Sequence, residues 1–168
     1  MRYVVLAPWK VARGPCAELA QHFTERIARH TPLDFIFPAS PLNSTADVNI
    51  FLLRELKKLA TDNYALICLD ENGKTQDSAG FAQRLADLEM KARKGVCFCF
   101  GSAHGLPAGL AAVSGLELLS LSPLTMAHEL AMVVLLEQVY RARCILSNHP
   151  YHHGSKSELA TVLKKSRA

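Results

Sequence analysis

Two short runs, Tyr64–Leu69 and Val96–Phe100, are apolar at every position rather than at alternate ones. Successive side chains of an extended chain point to opposite faces, so a strand without polar positions is buried on both sides. Such strands belong to parallel sheets covered by helices on each face. Shorter runs at Tyr3–Ala7 and Leu33–Phe37, and another before Ser122, extend the series to about five strands. Helical patterns lie between them. Gly14-Pro15 opens the first, with Cys16, Leu19, Ala20, Phe23 and Ile27 at helical spacing, and Pro32 stops it. Ser44 or Thr45 caps the second, whose stripe is Val48, Phe51, Leu52, Leu56 and Leu59. Asp77 or Ser78 caps the third, with Phe81, Leu85, Leu88 and Ala92 on one face and Gly95 at its end. The fold class is α/β, a mostly parallel sheet with helices on both faces.

The 168 residues suffice for one domain with a core, which we place at 1–153, followed by a basic tail at 154–168. No apolar stretch reaches the length of a membrane span, and the apolar run after Met1 is too short for a signal peptide. A cytoplasmic protein is expected. The five cysteines are odd in number, form no C-x-x-C pair and mostly sit in apolar segments, which predicts buried free thiols. The tail carries Lys156, Lys164, Lys165 and Arg167 against Glu158, hence three of the chain's four excess positive charges. It reads as a nucleic-acid arm or as a solubilising end.

Chemistry concentrates between Val96 and His153. Ligands of open α/β sheets settle at the carboxyl ends of strands, and two loops there are suggestive. Gly101-Ser102-Ala103-His104-Gly105 is a glycine turn that lets main-chain N–H groups approach a ligand, although it matches neither a P-loop nor G-x-G-x-x-G. A plain tight turn is its bland counterpart. The second loop holds Ser122, Pro123 and Thr125. Asp70 with Asn72-Gly73-Lys74 makes a turn at a third strand mouth, either a placed carboxylate and ammonium or a solvated turn. The helix from about His128 to Arg143 has almost no polar face, which predicts burial on two sides, one against the sheet and one against a second copy of the chain. Glu137 and Arg141, four apart, can pair on its residual polar edge. His149, His152 and His153 crowd the end of this region without a cysteine or a helical H-x-x-x-H, so proton transfer or stacking is preferred to metal binding.

These residues resemble a known family. Leu69-Asp70, Gly73-Lys74, Ser78 and Phe81-Ala82, then Phe100-Gly101 and Gly105-Leu106, fall in the order seen in the RlmH-type methyltransferases of the SPOUT superfamily. So do Leu119-Ser120-Leu121-Ser122, Leu124-Thr125, His128, Leu136-Glu137-Gln138-Val139-Tyr140-Arg141-Ala142 and Asn148-His149-Pro150-Tyr151-His152. The resemblance implies a C-terminal trefoil knot, a homodimer, and bent S-adenosylmethionine held between the knotted loops. Its cofactor contacts fall on Leu69, Gly101, Leu121, Ser122, Pro123, Leu124, Thr125 and Met126. The implied reaction is methylation of N3 of a pseudouridine in 23S ribosomal RNA, free or in the assembled ribosome, without a metal. Three positions depart from the family: Ser102 replaces a second glycine, Ala127 a proline and Met132 an arginine. The tail beyond His153 is additional.

Methyl transfer from a sulfonium requires the acceptor nitrogen held in line and its proton removed. His152 is the expected proton acceptor, because an imidazole titrates near pH ~6.5. Tyr151 is expected to stack on or hydrogen-bond the base, and Arg141 to hold phosphate or the tail. Two alternatives follow from the departures: a SPOUT-type methyltransferase with another RNA target, and an inactive RNA-binding or ribosome-assembly protein.

Overall fold

The computed structural model describes residues 1–11 and 13–151. Its five strands are β1 (Arg2–Leu6), β2 (Leu33–Ile36), β3 (Tyr64–Thr75), β4 (Gly95–Cys99) and β5 (Leu116–Ser120). All pairings are parallel, in the order β2-β1-β4-β3-β5. The two unbroken apolar runs lie at the centre: β4 is buried along its whole length, and β3 from Tyr64 to Cys68. A layer covers each face. Helices α1 (Pro15–Ala28), α3 (Ser78–Met90) and α4 (His128–Leu146) pack over Tyr3, Val5, Ile67, Val96 and Phe98. Helix α2 (Thr45–Thr61) and a 3-10 turn at Ala108–Ala112 cover Val4, Leu6, Leu66, Cys68, Cys97 and Cys99. Alternation along each strand divides the core in this way.

Local signals set the helix starts. Ser44 Oγ accepts the Asp47 amide at 3.1 Å and Asp77 Oδ1 accepts the Gly80 amide at 2.7 Å, so each cap satisfies a first-turn donor. The end of α3 differs from expectation. The helix stops at Met90, Ala92 takes a left-handed φ of 51° beyond it, and Gly95 opens β4 instead of closing the helix. A Cβ on Gly95 would strike the Arg2 carbonyl and the Tyr64 ring.

A second difference concerns residues 71–74, expected as a turn that leaves the sheet. Leu119 of β5 pairs with Leu69 and again with Lys74, so β3 loops out between them and rejoins the same neighbour. Gly73 allows this close approach, since a Cβ there would lie 2.6 Å from the Leu119 carbonyl carbon.

Helix α4 buries more of its apolar surface within one chain than its hydrophobicity alone suggested. It lies between α1 and α3, and Met132, Val133, Leu135, Leu136, Val139, Tyr140, Ala142, Cys144 and Ile145 are buried within one chain. Most of its apolar surface is thus covered by α1 and α3, while Leu130 is 47% exposed and Val134 half-buried. Polar contacts fix its register against α3: Ser78 Oγ donates to Gln138 Oε1 at 2.7 Å, and Arg143 pairs with Glu89 at 2.6 Å. The expected pair of Glu137 and Arg141 forms at 2.6 Å. Cys68, Cys97, Cys99 and Cys144 are buried free thiols and Cys16 is half-buried. His152, His153 and the basic tail at 154–168 lie outside the described residues.

Candidate active site

Because all strands run the same way, the segments after β3, β4 and β5 emerge at one end of the sheet. They enclose a cleft of about 650 Å³, in the size range of small-molecule sites. Its walls are the start of the β3 excursion (Leu69–Asn72), the loop Phe100–Gly105, the loop after β5 (Leu121, Ser122, Leu124, Thr125 and Met126), and His128 and Ala131 at the start of α4. Seven of the eight residues assigned to cofactor contact therefore share one cleft. Pro123 is not among its lining residues.

The Phe100–Gly105 loop is a tight hairpin. Ser102 and Gly105 exchange two main-chain hydrogen bonds, each 2.9 Å, and Gly105 turns the chain at φ 85°. Gly101 is pressed against this turn, so a Cβ on it would sit 2.6 Å from the Gly105 carbonyl oxygen. Trp9, the lone tryptophan, braces the loop from the end of β1. Its indole N–H donates to the Gly101 carbonyl at 3.4 Å, its edge meets Phe100, and its face stacks on His128 at 5.3 Å.

Across the cleft, Thr125 Oγ1 donates to Glu71 at 2.8 Å and thereby ties the loop after β5 to the β3 excursion. Ser122 closes its own turn by accepting the Leu124 amide at 3.0 Å, and its carbonyl accepts Ser120 Oγ at 2.9 Å. The amides and carbonyls of Thr125 and Met126 have no internal partner among the described residues. Leu124 is 76% exposed. This wall offers main-chain donors and acceptors beside leucine side chains, a combination suited to the polar edge and flat faces of a heteroaromatic ring.

Asp70 folds onto its own turn, accepting both the main-chain and side-chain N–H of Asn72 at 2.9 and 3.2 Å. Lys74 faces a different recess with Gln76, Arg84 and Glu117. The carboxylate and ammonium of that turn thus do not converge. Among the described residues no group of three metal-ligating side chains occurs. Burial pushes the Cys97 thiol far up, and a hydrogen bond with Cys68 together with burial does the same for Cys99, so neither serves as a thiolate nucleophile.

Two of the residues expected to act on the base, Tyr151 and Arg141, belong to a separate cluster. Tyr151 packs edge-on against Tyr140 at 4.8 Å, and its hydroxyl donates to Glu137 Oε1 at 3.2 Å. The Arg141 and Arg26 guanidinium groups lie 4.9 and 5.8 Å from the centre of its ring. Burial, then the Glu137 carboxylate, holds the Tyr151 hydroxyl above the usual tyrosine range. A hydrogen bond with Cys144, then burial, raises Tyr140. Arg141 stands thirteen residues after His128, about 20 Å along the helix axis. Cleft and cluster occupy different ends of α4.

Sequence reasoning did not assign roles to Trp9, Glu71 or Arg26. A tryptophan just past the first strand, at the carboxyl end of the sheet, was the available signal for Trp9. Arg26 carried none, because its neighbours come from a segment more than a hundred residues away.

Comparison with known proteins adds the lineage. The family model described as "Predicted SPOUT methyltransferase" matches residues 1–152. A protein of Agrobacterium fabrum named ribosomal RNA large subunit methyltransferase H is 34% identical over 159 residues, covering 90% of this chain and 99% of that protein. Proteins of the same name from Desulfovibrio desulfuricans and Nitratidesulfovibrio vulgaris are each 38% identical. The first match covers 81% of this chain and 87% of the relative, the second 89% and 97%.

Proposed function

Since the chain belongs to the SPOUT methyltransferase family, we propose that it methylates N3 of a pseudouridine in 23S ribosomal RNA with S-adenosylmethionine as methyl donor. One observation carries this reading: the bends after Phe100 and after Ser120 border the same cleft, whose volume and main-chain lining suit an adenosine-sized ligand. Leu69, Leu121 and Leu124 would flank the adenine. Gly101 admits close approach of the ligand, and the free main-chain groups of Thr125 and Met126 would read its polar edge. Bound there, the donor supplies an electrophilic methyl group.

The chain's own task is to hold the acceptor nitrogen in line and take its proton. His152 accepts the imide proton in this reading, Tyr151 stacks on the base, and Arg141 keeps the tail in place through Glu137. Tyr151 and Arg141 stand about 20 Å along α4 from the cleft of their own chain. A homodimer resolves this distance if a second copy brings its Tyr151 segment to the first copy's cleft. The homodimer therefore rests mainly on the separation of two half-sites, since most of the apolar surface of α4 is covered within one chain and Leu130, 47% exposed, is the main apolar residue it leaves open. A threaded C-terminal half is expected from membership of the family. Among the described residues no helix is long and apolar enough to cross a membrane, in accord with an enzyme working on ribosomes in the cytoplasm.

Mass spectrometry of 23S rRNA from cells lacking the protein tests the reading, with loss of one methyl group on a pseudouridine expected. Calorimetry with S-adenosylmethionine supplements it; absence of heat and of thermal shift favours an inactive RNA-binding protein. Full methylation by a His152→Ala, Tyr151→Phe double variant removes the tail from the mechanism. One observation favours a different RNA target: Met132, where the family usually has arginine, is 1% exposed and adds no charge near the cleft. Mapping methylation on ribosomal and transfer RNA separates the two.

A further inference from the structure

The cleft that does the chemistry is poorly equipped to hold a polyanion. Asp70 and Glu71 line it, and among the described residues no lysine or arginine does. Affinity for RNA comes largely from lysine and arginine that displace counterions from phosphates. Among the described residues the densest group of cations lies elsewhere.

They gather at the opposite end of the sheet. Helix α1 hands over to β2 past Arg29, α2 to β3 past Lys57 and Lys58, and α3 to β4 through Lys91, Arg93 and Lys94. All six are exposed. Asn63 joins two of these turns: its side-chain oxygen accepts Arg93 Nη1 at 2.9 Å and its carbonyl accepts the Lys94 amide at 3.1 Å. Five other cations are neutralised, in the pairs Arg2–Asp34, Arg54–Glu55, Arg84–Glu117, Arg141–Glu137 and Arg143–Glu89, while Lys10, Arg13, Arg26 and Lys74 also lack a carboxylate at ion-pair distance among the described residues but are scattered rather than grouped in sequence. None of the six on this rim has a carboxylate at ion-pair distance among the described residues. Glu25, Asp62 and Asp87, the nearest acids in sequence that no cation holds, leave a positive excess. Cations in a last helical turn also complement the helix dipole, but Arg93 and Lys94 lie beyond the end of α3. Three strand spacings separate β2 from β3, so the rim spans about 15 Å, enough to meet several phosphates.

We propose that this rim, centred on Lys91, Arg93 and Lys94 with Lys57 and Lys58 beside them, is the surface that grips the phosphate backbone of the substrate RNA. It rests on the ribosomal RNA reading above. Binding and chemistry are thereby divided between the two ends of the sheet.

The test is the salt dependence of binding to a fluorescein-labelled fragment of 23S rRNA, using the full chain. Lys91→Gln, Arg93→Gln, Lys94→Gln in one variant should lower the slope of log K against log salt by about 2 to 3, and weaken binding roughly tenfold to a hundredfold at ~0.1 M salt. Lys57→Gln, Lys58→Gln, on the exposed side of α2 and harmless to folding, should lower the slope by about 1 to 2. Affinity for S-adenosylmethionine should stay unchanged in both. Unaltered slopes and affinities in both variants, with the wild type binding RNA, overturn the surface and leave the function standing. A wild-type chain that holds the methyl donor but neither naked RNA nor assembled large subunits at any salt overturns both. Loss confined to assembled large subunits, with naked RNA bound as before, assigns the rim to an acidic protein and overturns its role as an RNA grip.

Discussion

At the scale of single residues, Gly101 shows how little the cleft can give. Its hydrogen faces the Gly105 carbonyl where any side chain would collide, and the Trp9 indole pins its own carbonyl. Gly101→Ala should therefore push the hairpin into the cleft and reduce S-adenosylmethionine affinity at least tenfold by calorimetry, while the far-ultraviolet spectrum remains native. Unchanged affinity would remove the hairpin from the donor site. Tyr3 provides a prediction about pH. Burial pushes its hydroxyl above 10.0, against the smaller opposing pull of Arg143. The folded state thus holds this proton more tightly than the unfolded chain does. The resulting stabilisation is complete below the unfolded value near ~10 and is lost as pH rises towards the folded value. Denaturant midpoints should fall as pH rises above ~10, and Tyr3→Phe should flatten that fall.

Among the elements, α4 links packing to function. Its low polarity reflects a position between two helices and over the sheet, so its core residues carry much of the stability. Leu136 is fully buried there. Leu136→Ala should cost about 2 to 5 kcal/mol in chemical denaturation, through lost burial and the cavity left behind. A loss below 1 kcal/mol would mean that the three-helix layer closes over the gap. The strand β3 makes a related point. Its pairing with β5 survives an excursion of several residues because Gly73 returns the chain to Leu119, and that excursion becomes one wall of the cleft. A sequence reader sees Glu71-Asn72-Gly73-Lys74 as a turn, which is right for the local backbone. That the strand resumes afterwards depends on a partner some forty-five residues away.

For the whole molecule, the decisive quantity is the separation of about 20 Å along α4 between cleft and tail cluster. If two copies share the work, an inactive Gly101→Ala chain and an inactive Tyr151→Phe, Arg141→Ala chain should complement. Mixed dimers then contain one site built from intact parts of both chains. Co-expression should restore up to about half of wild-type methylation in mixed dimers isolated with two different tags. Absence of any recovery in such dimers would place both half-sites in one chain and require the tail to move.

The sequence by itself determined the layers. Runs without a polar position call for a helix on each side, and capping residues such as Ser44 and Asp77 mark where those helices begin, because both signals are written within a few neighbouring residues. Resemblance supplied seven of the residues that line the cleft. Tertiary structure alone decided that β4 runs between β1 and β3, that Pro123 falls outside the lining, that α1 and α3 cover α4, and that Arg26 reaches Tyr151. Each of these depends on contacts between segments far apart in the chain. Local periodicity records which face of an element is buried, and carries no information about which partner buries it.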